Sequence, residues 1–233
     1  GQRLDLIAST RHDEFAFEDY ARLREAGIRT ARDGVRWHLI EKSPFRYDFS
    51  SLVPMLRAAH ETQTQVIWDL FHYGWPDGLN IWGAAFVERF ARFARATAAV
   101  ILDETGGPIY VTPANEISFV SWGGGDAAFL NPFAKQRGPE LKAQLVRAAI
   151  AAIEAVREVD PRARICHAEP IIHIAVDPDH PEEAAAAEGY RMSQFQAWDM
   201  LSGRFCPELG GRPEYLDLLG VNYYSNNQWI HQD

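Results

Sequence analysis

The feature that most constrains this chain is an alternation of amphipathic helical stretches with short apolar runs. The runs are Thr30 to Trp37, Gln65 to Phe71, Ile109 to Ala114, Arg164 to Ala168 and Leu218 to Tyr224. Around them lie helix-like segments at Phe17 to Ala26, Leu52 to Glu61, Ala84 to Asp103, Leu141 to Val159 and Glu182 to Leu201. Gly27 is a good C-cap for the first, Asp48-Phe49-Ser50-Ser51 offers a start for the second, and Gly106-Gly107-Pro108 and Asp160-Pro161 are stops. Continuous apolar strands alternating with helices predict a parallel α/β sheet covered on both faces. No Gly-x-Gly-x-x-Gly turn follows a strand, the loops after the strands are long (Gly74–Gly83, Ser118–Pro139), and polar and aromatic residues gather at several strand ends. These three features favour a (β/α)8 TIM barrel over an open doubly wound sheet. With 233 residues, 47% of them hydrophobic, the chain is expected to form one domain over 1–233.

Charge and motifs exclude several functions. The net charge is −9, from 32 acidic and 23 basic residues, and no Lys/Arg cluster interrupts it, so nucleic acid is not an expected partner. Cys166 and Cys206 make neither a disulfide framework nor a zinc spacing and read as reduced thiols of a cytoplasmic protein. No signal peptide and no apolar run of about 18 residues is present, so no membrane role is expected. His167-Ala168-Glu169 lacks the Pro-Cys-x-x-Cys of zinc deaminases, and Gly123-Gly124-Gly125 lacks the ending of a phosphate loop. No metal and no cofactor is expected.

The strand ends hold Arg32 and Trp37, then Asp69 and His72, then Asn115 and Glu116, then His167 and Glu169, then Asn222, Tyr223 and Tyr224. Trp68, Trp75, Trp82 and Trp122 lie in or near the same loops. Flat rings cover the C–H face of a pyranose, and amides and carboxylates pair with its hydroxyls, so the expected ligand is a carbohydrate. Each residue also has an ordinary structural role open to it. Glu116 suits a loop carboxylate bonded to a helix start, and Arg32 a buried ion pair. His72 suits a satisfied core histidine, and the tryptophans suit caps on a barrel.

The same residues resemble family 1 glycoside hydrolases, the β-glucosidase family, from about Asp19 to Tyr224. Thr30-Ala31-Arg32-Asp33-Gly34-Val35-Arg36-Trp37 looks like that family's second barrel strand, with Arg32 as the site arginine. Leu70-Phe71-His72-Tyr73-Gly74-Trp75-Pro76 looks like the segment whose histidine binds the sugar, Asn115-Glu116 matches the acid/base pair, and Leu216 to Tyr224 resembles the sixth strand. Tyr73-Gly74 replace the usual Trp-Asp, Ile117 replaces the usual proline, and the threonine before Asn-Glu stands one residue further away.

The resemblance implies that the chain carries barrel strands two to six, with strand one before Gly1 and strands seven and eight after Asp233. It implies retaining hydrolysis of β-glycosidic bonds with Glu116 as acid/base and a nucleophile outside the chain. It further implies sugar-site roles for Arg32, His72, Asn115, Asn222 and Tyr224. Glu169, Trp75 and Trp122 are added as sugar-site candidates from their positions. Two alternatives are a non-catalytic sugar-binding module and a glycosidase-like barrel fused to another enzyme of sugar metabolism. Neither end looks like a natural terminus, and five βα units alone would leave open sheet edges that favour association. The oligomeric state is left open.

Overall fold

All five predicted strands are present in the computed structural model, which describes residues 4–231. They are β1 (Thr30–Gly34), β2 (Gln65–Asp69), β3 (Tyr110–Thr112), β4 (Arg164–Pro170) and β5 (Leu218–Asn222). The main helices are α1 (His12–Glu25), α2 (Val53–Glu61), α3 (Ala84–Thr105), α4 (Gly138–Val159), α5 (Ala184–Ser193) and α6 (Gln196–Leu201). Strands pair in the order β1-β2-β3-β4-β5, every pair parallel. The residues fall into two compact units: Gly1–Pro113 with Ala151–Ile165, and Ala114–Ile150 with Cys166–Asp233.

In the first unit β1 pairs with β2 from Thr30↔Gln65 to Gly34↔Asp69, and β2 with β3 from Ile67↔Tyr110 to Asp69↔Thr112. The first residues of β4 follow, at Tyr110↔Arg164 and Val111↔Ile165. The run expected to reach Trp37 as strand instead stops at Gly34, and Trp37–Ile40 forms a single helical turn. Burial is the reason: Trp37 is fully enclosed, its ring 5.1 Å from Phe90, 5.3 Å from Phe93 and 5.6 Å from Phe86 on α3. Trp37 Nε1 donates to Glu41 Oε2 at 2.7 Å. Glu41 Oε1 also accepts Arg89 Nε at 3.1 Å and the Phe45 amide at 2.8 Å, so this buried carboxylate is fully engaged. Trp37 is therefore a core residue, not a strand-end platform.

α1 begins five residues before the expected Phe17, with Asp13 and Glu14 in its first turn, where the helix dipole favours acids. Gly27 follows its end with φ 80°, a left-handed conformation that costs glycine nothing. His12 ties α1 to β1: Nδ1 lies 2.8 Å from Asp19 Oδ2 and Nε2 2.7 Å from Asp33 Oδ2, which also accepts the Tyr20 hydroxyl at 2.7 Å. Carboxylates only accept, so both ring nitrogens donate and the ring is charged.

In the second unit β4 pairs with β5 from Cys166↔Leu218 to Pro170↔Asn222. Gly220 passes close to β4: a Cβ there would stand 2.8 Å from the Ala168 Cβ. The expected single helix over Glu182 to Leu201 is two, broken at Gln194 and Phe195. The Gln194 carboxamide is buried and binds the backbone of Ile172 both ways, accepting its amide at 2.8 Å and donating to its carbonyl at 3.2 Å. That anchorage outweighs continuation of the helix. Coverage on both faces, expected of every strand, fails at β5, where Leu218, Leu219 and Val221 are exposed. Among the described residues no helix is long and apolar enough to cross a membrane.

Two outcomes are expected. Trp37→Ala should cost roughly 3–5 kcal/mol, read from chemical denaturation. The hydrogen bond to Asp33 chiefly raises the His12 pKa to about 9 against an ordinary 6.5, with Asp19 adding to it and burial opposing it. A raised pKa in the folded state gives stability that is complete below pH 6.5 and lost as pH rises through about 9. Unfolding free energies at pH 6 and pH 10 should therefore diverge, by no more than about 2 kcal/mol after solvent screening, and His12→Gln should flatten the difference.

Candidate active site

After β3 the chain passes Pro113, and in the second unit, from Ala114 on, it reaches Asn115 and Glu116, both buried. Glu116 has φ 50° and ψ 60°, a left-handed conformation that costs a residue with a Cβ about 1–2 kcal/mol. Two hydrogen bonds hold it there. The Glu116 amide donates to the Ala168 carbonyl of β4 at 2.8 Å, and the Glu116 carbonyl accepts the Val120 amide at 2.9 Å, opening the turn Ile117–Val120. The side chain is then met by β5, where Asn222 Nδ2 donates to Glu116 Oε1 at 2.8 Å and to Asn115 Oδ1 at 3.1 Å. Asn115, Glu116 and Asn222, picked out separately in the sequence, form one cluster.

Glu169 stands behind this cluster. It is 2% exposed, and its Oε2 accepts the Ser118 amide at 3.0 Å, in the turn that Glu116 opens. Burial pushes its carboxyl up to about 7, opposed by the Ser118 amide and by Lys142 on α4, while the charge of Glu116 raises it further. Lys142 is itself held below the ordinary lysine range by burial, and its Nζ donates to Gln196 Oε1 at 2.9 Å. His167, the other strand-end residue of β4, turns into the core: its Nε2 donates to the Tyr215 carbonyl at 3.1 Å, and its own carbonyl accepts Trp198 Nε1 at 3.2 Å.

The loop after Glu116 is a six-residue π-helical turn, Ser121–Asp126. Its glycines are there for space: a Cβ on Gly123 would meet Phe129 at 2.7 Å, one on Gly124 the Asn131 carbonyl at 2.7 Å, and one on Gly125 Gly138 at 2.8 Å. Trp122 rides on this turn, 47% exposed, with its ring edge-on to Phe129 at 5.1 Å. Tyr224 is 63% exposed beyond the end of β5.

In the first unit a second cluster forms between the middle of β1 and the end of β2. Asp69 Oδ2 takes Arg32 Nε at 3.3 Å and His72 Nδ1 at 2.9 Å. The Asp69 side chain is 3% exposed, those of Arg32 and His72 28% and 43%. Tyr73, with φ 68°, packs its ring 4.8 Å from that of His72. Trp75 is not a platform: it is 5% exposed, stacks on Phe71 at 5.9 Å and donates Nε1 to the Leu79 carbonyl at 3.0 Å. Sequence reasoning gave Asp69 no role, although an acid at the end of an apolar strand, three residues before a histidine, was a visible signal. Among the described residues no group of three or more His, Cys, Asp or Glu is placed to hold a metal ion.

Comparison with known proteins bears on the fold. No family model matches the chain, and no curated protein matches it. Solved structures do. The AHE enzyme from Alicyclobacillus herbarius matches with TM-score 0.76 and 19% identity over 91% of this chain and 54% of its own. A family 1 β-glucosidase from Thermotoga maritima matches with TM-score 0.75 and 17% identity over 94% and 55%. The virulence factor SghA, solved with its substrate analog salicin, matches with TM-score 0.76 and 16% identity over 93% and 53%. The chain thus spans about half the length of these structures. Its α/β fold is that of the family 1 β-glucosidase barrels it resembles in sequence pattern.

Proposed function

We propose that the chain carries the acid/base half of a retaining β-glycosidase, with Glu116 as the residue that protonates the leaving oxygen and then deprotonates the attacking water. The observation that carries this reading is the geometry at Glu116. A buried carboxylate is held in a strained backbone conformation at a strand end, and an Asn222 amide fixes one of its oxygens. Positive φ recurs at other residues of the chain, but at Glu116 it coincides with a buried strand-end carboxylate, and that coincidence supports a functional role. The Asn222 bond to Oε1 fixes the orientation of the carboxyl group that transfers the proton.

Asn115 is assigned to the sugar 2-hydroxyl, an interaction that strengthens as the ring approaches an oxocarbenium ion. Its Oδ1 is oriented by the same Asn222 amide. Exposed Trp122 is assigned to the ring face of a bound sugar or aglycone. His72 is assigned to the glycone, and Arg32 and Tyr224 to the nucleophile carboxylate, as the resemblance implies. A retaining mechanism places that second carboxylate roughly 5–5.5 Å from the first. The resemblance puts it on the seventh barrel strand, which is not among the five strands here. Glu169 and Trp75 are given supporting rather than sugar-binding roles, because both are buried and bonded to backbone.

In protein carrying the whole barrel, Glu116→Gln should lower turnover of an unactivated alkyl β-glucoside by about 10²–10⁴-fold, the usual worth of a general acid. Unchanged turnover would sink the assignment. Glu169 yields a second expectation. Its carboxyl is pushed up to about 7 against an ordinary 4.5, so the folded chain holds a proton that the unfolded chain releases, and stability falls as pH rises between those values. Glu169→Gln should therefore gain on the wild type in thermal melts above pH 7 and not at pH 4.5. An equal difference at both pH values would contradict a buried, neutral Glu169.

A further inference from the structure

We propose that Asp69 is a positioning residue that locks the His72 ring with its proton on Nδ1, so that Nε2 presents a lone pair and reads a hydroxyl donor of the sugar. The sugar part of this inference rests on the glycosidase reading above; the locking of the ring does not. Asp69 is the only member of its cluster that is fully buried, and one of its oxygens does two jobs. Oδ2 forms an ion pair with Arg32, 3.3 Å from its Nε, and accepts from His72 Nδ1 at 2.9 Å. The other oxygen, Oδ1, is buried with no hydrogen-bond partner. The Asp69 main chain is equally fixed, since its carbonyl accepts the Val35 amide at 2.8 Å and the following Leu70 amide donates to Thr112 at 2.9 Å. The carboxylate therefore has little freedom to follow the histidine; the histidine follows it.

The chemistry is set by what each atom is able to do. An ionised carboxylate only accepts, so the nitrogen facing it must donate. A neutral imidazole has one N–H, and with that proton on Nδ1 the remaining nitrogen is an acceptor. Arg32 stands against the same oxygen at 3.3 Å, so the carboxylate is held from its other side as well. The His72 side chain is 43% exposed, whereas Asp69 is out of a ligand's reach. The strand-end group that meets a ligand is thus an acceptor of defined direction, suited to a neutral hydroxyl and unsuited to a carboxylate or phosphate oxygen, which carry no proton to give.

Long-range ¹H–¹⁵N correlation spectra of this chain, recorded where the His72 ring is neutral, read the tautomer directly. The Nδ1–H form should outnumber the Nε2–H form by at least about tenfold, the preference expected from a charge-assisted bond. A majority of Nε2–H in the wild type overturns the proposal, and this measurement needs no variant to fold. In Asp69→Asn the ratio should fall several-fold; a ratio unchanged in the folded variant also overturns it. Titration with methyl β-D-glucopyranoside should move the His72 Nε2 resonance toward protonated-nitrogen values. If other strand-end resonances respond while Nε2 stays put, the hydroxyl-reading role is wrong. If no resonance of protein carrying the whole barrel responds at the highest sugar concentration reached, the glycosidase reading fails, and the tautomer ratio alone decides the role of Asp69.

Discussion

The hydrogen bond from the Glu116 amide to the Ala168 carbonyl is the constraint on which the candidate site depends. It ties the chain leaving β3 to the neighbouring strand β4 where regular pairing has already ended at Val111↔Ile165. A residue with a Cβ would leave the left-handed region if free to do so. Here the amide is tied to β4, the carbonyl already belongs to the next helical turn, and the side chain is met by Asn222. Glu169 secures the same turn from below through the Ser118 amide. Four contacts from β4, β5 and the turn itself thus fix one carboxylate, which is what a proton-transfer group requires, since its efficiency depends on position before acidity.

The first unit solves a related problem with charge. Arg32 lies within β1, Asp69 ends β2 and His72 follows it in the loop, and an isolated Asp69 carboxylate there would be costly to bury. Sharing one oxygen between a guanidinium and an imidazole offsets that cost and orients the imidazole. Glu41 follows the same logic deeper in the unit, taking donors from Trp37, Arg89 and the Phe45 amide. In both places a buried acid organises aromatic or titratable neighbours rather than acting on a ligand.

Much of this was legible in the residues. Helical stretches and short runs alternated regularly, so each strand of the five-stranded sheet was found, while the short strands of the two small sheets were not; Asn115-Glu116, Asn222 and His72 stood out because polar groups at strand ends are rare enough to notice. The aromatic residues were harder. Trp37, Trp75 and Trp122 are equally flat and equally near a strand end in sequence, but two of the three bury their rings and satisfy the indole N–H internally. Only Trp122 stays exposed, lifted by a glycine-rich turn whose tight packing cannot be read from three consecutive glycines. The break between α5 and α6 was hidden for the same kind of reason. A helical pattern runs straight through Gln194, and the Ile172 backbone that captures its carboxamide lies 22 residues earlier. The His12 and Asp69 clusters likewise arise from pairings between elements, which local pattern does not encode.

The central claim, that Glu116 is the acid/base of a retaining glycosidase, is tested most directly by chemical rescue. Glu116→Ala, in protein carrying the whole barrel, should still be glycosylated by 2,4-dinitrophenyl β-D-glucoside, whose leaving group needs no proton. Sodium azide, which attacks without a general base, should then restore turnover and yield the β-configured glycosyl azide. Rescue with that product is the result predicted here. Full activity without azide, or an α-configured azide, would contradict it.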